Sequence, residues 1–86
     1  MLPRIKDFGG YELKIHCAPR EHPPPHYHVY ANDGSWEFKR EIDNDNTTVL
    51  RGSPPSACVR KIIKWAKQRV NKRLLKRKWK EYNETQ

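Results

Sequence analysis

Apolar and polar residues alternate along the first half of the chain, and this pattern predicts short β-strands. The alternation occurs in four stretches, at 11–17, 26–31, 36–42 and 47–50. A strand with one buried face has this period of two, because successive side chains point to opposite faces of the sheet. Turn-forming residues separate the stretches, most clearly at Asn32-Asp33-Gly34. The first half therefore predicts an antiparallel meander of three or four strands.

The connection between the first two predicted strands is rich in proline. Pro19 and the run at 23–25 lack backbone N–H donors, so they exclude regular hydrogen-bonded structure. We expect an extended, stiff segment there, with the next strand beginning at His26.

The second half of the chain has helical periodicity. Ser53 precedes two prolines, which predicts a helix N-terminus capped by Ser53. Apolar residues then recur at spacings of three and four, at Val59, Ile62, Ile63, Ala66 and Val70. Leu75 and Trp79 would lie roughly opposite this stripe on a straight helix. A bend or break near Asn71 is therefore expected, because it would return both side chains to the core.

Together these elements predict a single α+β domain. We expect an antiparallel three- or four-stranded meander packed by a long or broken C-terminal helix. A chain of 86 residues has the length of one domain. Strands and the proline loop occupy 1–51, a basic helical segment occupies 53–82, and a tail at 83–86 is expected to fray.

The cysteines and the N-terminal residues indicate a cytoplasmic protein. The only cysteines are Cys17 and Cys58, which make neither a disulfide framework nor a Cys-x-x-Cys metal or redox motif. The stretch from Met1 to Ile15 carries several charges and no long apolar run, so it predicts no signal peptide and no membrane span.

Positive charge is concentrated in the helical segment. Residues 1–51 hold seven Lys or Arg against eight Asp or Glu, a net charge of −1, whereas residues 52–86 hold eleven against two, a net charge of +9. No acidic residue lies between Asp45 and Glu81, so we expect these cations to lack local partners. Like charges four residues apart oppose helix formation.

A polyanion, RNA or DNA, is the partner that this charge favours most. An acidic protein partner and solubility alone are the alternatives, and a membrane partner is excluded because the sheet needs the apolar stripe. The candidate nucleic-acid-binding residues are Arg60, Lys61, Lys64, Lys67, Lys72, Arg73, Lys76, Arg77 and Lys80.

Four histidines, at positions 16, 22, 26 and 28, have three interpretations. His26 and His28 share a strand face and act as a structural brace if their rings are buried and hydrogen-bonded. Alternatively, His22, His26 and His28 are catalytic and transfer protons during RNA cleavage, with Tyr27 or Tyr30 orienting the substrate. A metal site is the third interpretation. The spacing lacks the second half of a zinc pattern, so we assign no metal and no other cofactor.

One segment resembles a known family. The stretch from His22 to Val29 reads HPPPHYHV and resembles the His-x-Pro-Pro-His-Phe/Tyr-His-Val signature of a small bacterial family described as domain of unknown function 4160. Pro3, the pair Trp65-Ala66 and the spacing from Asn71 to Trp79 are similar to that family as well. The resemblance implies a compact α+β domain, usually encoded beside another small protein in an arrangement like a toxin–antitoxin pair.

Two functional hypotheses follow. The first is a small nucleic-acid-binding domain that is the toxin-like, ribonuclease member of such a pair. The second is a non-enzymatic module that binds a protein partner or operator DNA, whereas a small acidic protein would be the partner of the toxin-like domain. The chain contains no zinc finger, helix-turn-helix or RNA-recognition motif, so its sequence does not distinguish RNA from DNA.

Overall fold

A five-stranded antiparallel sheet occupies the first half of the chain. The computed structural model describes residues 4–17 and 22–83. The strands are β1 (Arg4–Asp7), β2 (Tyr11–Lys14), β3 (His26–Ala31), β4 (Glu37–Glu41) and β5 (Thr47–Arg51). They lie in the order β1-β2-β3-β4-β5, with every neighbouring pair antiparallel. The predicted α+β class and the meander are confirmed, but the predicted count of three or four strands is wrong.

The additional strand is β1. It has four residues, of which three are polar and exposed. Its sequence therefore lacks the regular alternation of apolar and polar positions that predicts a strand. Its hairpin with β2 turns at Gly9 and Gly10, whose φ angles of 78° and 136° favour glycine. The Asp7 side chain accepts a hydrogen bond from the Gly9 N–H at 2.8 Å and tightens the turn.

Strand β3 lies at the centre of the sheet and is buried on both faces. Tyr27, Val29 and Ala31 belong to the hydrophobic core that the sheet shares with the helices. His26 and His28, which alternate with them, are only 6% exposed. The predicted turn after this strand is confirmed, since the Gly34 N–H donates to the Ala31 carbonyl at 2.9 Å.

Two helices, α1 (Ser56–Lys67) and α2 (Arg69–Asn83), follow the sheet. The helical segment is interrupted at Gln68, whose ψ of 135° is extended. The predicted break is therefore present, three residues before Asn71. The Asn71 side chain donates to the Trp65 carbonyl at 2.9 Å, and the Gln68 N–H donates to the same oxygen at 3.3 Å. These bonds satisfy a carbonyl that the end of α1 leaves without a helical donor.

The break decides which apolar side chains reach the sheet. Ile62 at 0% exposure and Ala66 at 9% come from α1, and Leu75 at 0% and Trp79 at 1% come from α2. Val70 is 77% exposed, so its predicted place in the apolar stripe is wrong, because the chain changes direction before it. Neither helix of the described residues is long and apolar enough to span a membrane.

Both ends of the helical segment differ from the prediction. Pro55 occupies the N-cap of α1 without a side-chain capping bond, so Ser53 is not the cap. Asn83 was expected to fray but is the last residue of α2, and its side chain donates to the His16 carbonyl at 3.0 Å. The rest of the predicted tail, 84–86, and Pro19 of the predicted proline connection lie outside the described residues.

The passage from β5 to α1 requires glycine. Gly52 has a φ of 64°, and a Cβ at this position would lie 2.1 Å from the Ser35 carbonyl oxygen. Any side chain here would push apart the β3–β4 turn and the start of the helical segment.

Substitution of Ile62 by aspartate tests the helix placement. A carboxylate at this fully buried position has no partner and should prevent folding, since burying an unpaired charge costs several kcal/mol. Val70→Asp is the matched control. It places the same charge on an exposed side chain in the first turn of α2, where an acid interacts favourably with the helix dipole. Thermal unfolding followed by circular dichroism checks both, and equal melting temperatures would contradict the placement.

Candidate nucleic-acid interface and histidine cleft

The predicted nucleic-acid-binding side chains lie on the outer sides of the helices. Every one is exposed except Lys72, which is half-buried. Arg60 and Lys64 lie on the side of α1 opposite Ile62, and Arg73 lies on the side of α2 opposite Leu75. Lys72 and Lys76, each three residues before a buried residue of α2, lie at the border of its buried side. We call this surface the basic helical face; it comprises Arg60, Lys61, Lys64, Lys67, Arg69, Lys72, Arg73, Lys76, Arg77 and Lys80.

A few of these cations do have acidic neighbours, contrary to the expectation that none would. Asp43, in the β4–β5 hairpin, lies 3.2 Å from the Lys76 Nζ and 3.9 Å from the Lys72 Nζ. These pairs are about half-exposed and so add little stability. The hairpin is held in place by Arg40, whose buried guanidinium donates to the Asp45 carboxylate at 2.7 Å and to the Thr47 hydroxyl at 2.7 Å.

The remaining cations of the basic helical face have no ion pair with another described residue. They are Arg60, Lys61, Lys64, Lys67, Arg69, Arg73, Arg77 and Lys80. Their mutual repulsion is therefore not offset by neighbouring carboxylates within residues 4–17 and 22–83.

The proline segment and three strands enclose a cleft of about 200 Å³ on the sheet face that carries His28. We call it the histidine cleft; it is lined by His22, Pro23, Pro24, His26, Lys39, Glu41, Asn46 and Thr48. The strand register explains the lining, because His26 pairs with Glu41 and Lys39 pairs with Thr48 across the sheet. His22 and His26, two of the three predicted catalytic histidines, thus share one cleft.

His26 is both part of the cleft and a brace. Its Nδ1 lies 3.0 Å from the Pro24 carbonyl oxygen, and a carbonyl only accepts, so Nδ1 carries the proton. In the neutral ring the lone pair is then on Nε2, which is the form of a general base. The ring also packs 4.8 Å from the Trp79 ring, centroid to centroid, which couples the proline segment to α2.

His28 lies beside the cleft rather than in its lining. Its ring stacks on His16 with centroids 3.7 Å apart and planes within 3° of parallel. Its Nδ1 is 3.3 Å from a Glu37 carboxylate oxygen, and His16 Nε2 hydrogen-bonds the Tyr30 hydroxyl. The structure therefore places His28 in a stacked structural cluster, with its centroid 5.2 Å from that of His26. Among the described residues, no three Cys, His, Asp or Glu side chains converge as a metal site.

Tyr27 cannot orient a substrate in this cleft. Its side chain is 1% exposed and belongs to the core shared with the helices, so it lies on the opposite face of the sheet from His26 and His28. Burial raises the pKa of the Tyr27 hydroxyl to about 12, although the nearby Arg40 charge acts in the other direction. Tyr30 is on the histidine side of the sheet.

The sequence interpretation did not include two charged residues of the cleft. Lys39 and Glu41 are two residues apart on β4, so the sequence indicated that they share one face of the sheet. It did not indicate what covers that face. Hydrogen bonds from the Asn44 and Asn46 side chains lower the pKa of the Glu41 carboxyl. Glu41 is therefore an anion in the cleft, whereas Lys39 supplies a cation beside the two imidazoles.

Comparison with known proteins identifies one family. The family described as Domain of unknown function (DUF4160) matches residues 10–80, which cover the sheet from β2 onward and most of both helices. No curated protein and no solved structure matches the chain.

Stability at high pH tests the burial of Tyr27. Burial raises the pKa of Tyr27 in the folded state from 10.0 to about 12. Its contribution to the free energy of unfolding is therefore complete below pH 10 and is lost as the pH rises to about 12. The loss is at most about 3 kcal/mol for a shift of this size. Tyr27→Phe cannot ionise, so its unfolding free energy should fall less than that of the parent over this range. Parallel decreases in urea titrations would contradict the burial.

Proposed function

The chain belongs to the family described as Domain of unknown function (DUF4160), and we propose that it is a small nucleic-acid-binding domain that uses its basic helical face. The family's description names no activity. The proposal is supported by the charge and geometry of this chain's own residues.

The observation that carries the proposal is the positive charge on the outer sides of α1 and α2, most of which has no ion-pair partner among the described residues. Several like charges stand four residues apart, as at Arg60 and Lys64 or at Arg73 and Arg77. Each such pair opposes the helix by about 0.2–0.5 kcal/mol. Phosphate groups would neutralise these cations and release condensed counterions, which is the main driving force of sequence-independent nucleic-acid binding.

Salt dependence tests this proposal. Affinity for DNA or RNA should fall with rising salt at a log–log slope of about −0.9 per phosphate contact for a duplex and about −0.7 for a single strand. Replacing Lys72, Arg73, Lys76 and Arg77 by glutamine should flatten the slope, because those contacts are removed. Fluorescence anisotropy measures both. The absence of binding to any DNA or RNA at low salt would overturn the proposal.

RNA cleavage in the histidine cleft is the second candidate function. His22 and His26 line one cleft with Lys39, and two imidazoles with a cation can perform this reaction without metal. One ring takes the proton of the attacking ribose hydroxyl, the other protonates the leaving oxygen, and the ammonium stabilises the phosphoryl charge. This activity would make the chain the toxin-like member of a toxin–antitoxin pair, with a small acidic protein as its partner.

His22 and His26 have different surroundings, so substitutions at the two positions separate catalysis from bracing. His22 is exposed, and His22→Ala should abolish RNA cleavage while leaving the melting temperature unchanged. His26→Ala should also lower stability by about 1 kcal/mol, because it removes the bond to the Pro24 carbonyl.

The variant with four glutamines on α2 is the control for this experiment, because its cleft is intact. It should raise KM and leave kcat nearly unchanged. Cleavage is measured on labelled RNA with a chelator present. Undiminished cleavage by His22→Ala would remove His22 from the reaction, and an inactive parent would favour the alternative, a non-enzymatic protein-binding or DNA-binding regulatory module.

A further inference from the structure

A groove separates β1 from α1, on a side of the molecule that the histidine cleft does not reach. Its volume is about 470 Å³, larger than that of the histidine cleft. It is lined by Lys6, Asp7, Phe8, Lys61, Lys64, Trp65 and Gln68. We call it the β1–α1 groove. None of its residues has a role in the RNA-cleavage site described above, and only Lys61 and Lys64 belong to the basic helical face.

Two aromatic rings form the wall of the groove. Phe8 meets Trp65 edge to face, with ring centroids 5.9 Å apart and planes at 85°. Phe8 also stacks on Tyr11 at 5.3 Å with planes within 2° of parallel. These ring contacts hold Phe8 and Trp65 in place. Both side chains are only partly buried, so they still present apolar surface to the groove.

Lysines surround this aromatic wall. Lys61, Lys64 and Trp65 lie on a single side of α1, and Gln68 follows directly after the helix. Lys6 approaches from β1, with its Nζ 5.9 Å from the Phe8 centroid. These three lysines are exposed, and no ion pair joins any of them to another described residue.

One acid also lines the groove. The Asp7 carboxylate accepts the Gly9 N–H at 2.8 Å and lies 3.7 Å from the Arg4 guanidinium. Its charge is therefore engaged within the β1–β2 hairpin, and the groove has an excess of positive charge.

We propose that the β1–α1 groove binds single-stranded nucleic acid, with an unpaired base stacked on Trp65, Phe8 meeting that base at an angle, and the flanking phosphates held by Lys6, Lys61 and Lys64. This inference rests on the proposed function and specifies its substrate class. Aromatic surface beside a row of cations is the arrangement that binds a strand without reading its sequence. A duplex keeps its base faces stacked inside the helix, so it can use the lysines but not the rings.

Tryptophan fluorescence is a direct probe of this contact. Trp36 is 8% exposed and Trp79 is 1% exposed, whereas Trp65 is partly buried at the groove. Titration with short oligo(dT) or oligo(U) should therefore quench the parent's emission, and the quenching should disappear in Trp65→Leu. A duplex of the same length should bind with little quenching.

Affinity measurements complete the test. Trp65→Leu should weaken single-strand binding about 5- to 150-fold, the range for loss of one stacked base, and leave duplex affinity within about twofold. Trp65→Phe keeps an aromatic face and should recover most of the affinity, which excludes a general loss of structure. Melting temperatures of both variants establish that they are folded.

A charge-matched pair of variants locates the phosphates. Lys61→Gln with Lys64→Gln removes two cations from the groove, and Arg73→Gln with Lys80→Gln removes two from α2. The first should weaken single-strand binding more than the second, whereas duplex binding should fall similarly in both. Equal losses for single strands, or a Trp65→Leu variant with unchanged affinity, would overturn the groove proposal while leaving the proposed function intact. A parent that binds neither form overturns both.

Discussion

The extended residue at Gln68 determines how the helical segment packs on the sheet. A straight helix from Ser56 would direct the apolar residues of its two halves to different sides. With ψ at 135° in Gln68 and the Asn71 side chain bound to the Trp65 carbonyl, the chain changes direction between α1 and α2. Ile62 and Trp79 are then both fully buried. In a small domain with a thin core, this packing supplies a large part of the hydrophobic stabilisation.

The same change of direction separates two kinds of surface. Once the apolar sides of α1 and α2 cover one face of the sheet, their lysines and arginines can only point to solvent, where they form the basic helical face. The other face of the sheet carries the stacked histidines and the cleft beside the proline segment. His26 connects the two regions, because it hydrogen-bonds the Pro24 carbonyl and packs against Trp79 of α2. Binding and chemistry, as proposed, would thus occur at separate surfaces of one core.

Periodicity and turn-forming residues in the sequence predicted the fold class, the meander and the need for a helix break. Strand β1 was missed because an edge strand with three exposed residues has no alternation. The break lies three residues before Asn71, whose side chain bonds the Trp65 carbonyl at the end of α1. Tyr27 was one of two tyrosines considered for orienting a substrate, although the alternation along β3 already places it on the opposite face from His26 and His28. The β1–α1 groove joins residues more than fifty positions apart, which no local pattern brings together.

The central claim is that nucleic acid contacts the helical side of the molecule. Backbone amide chemical shifts of the labelled protein, recorded during titration with a short oligonucleotide, test it without any substitution. The account predicts that the perturbed amides lie along α1 and α2, around Lys61 and Trp65 and around Arg73 and Arg77. Perturbations confined to β3, β4 and β5, with the amides of both helices unchanged, would contradict it.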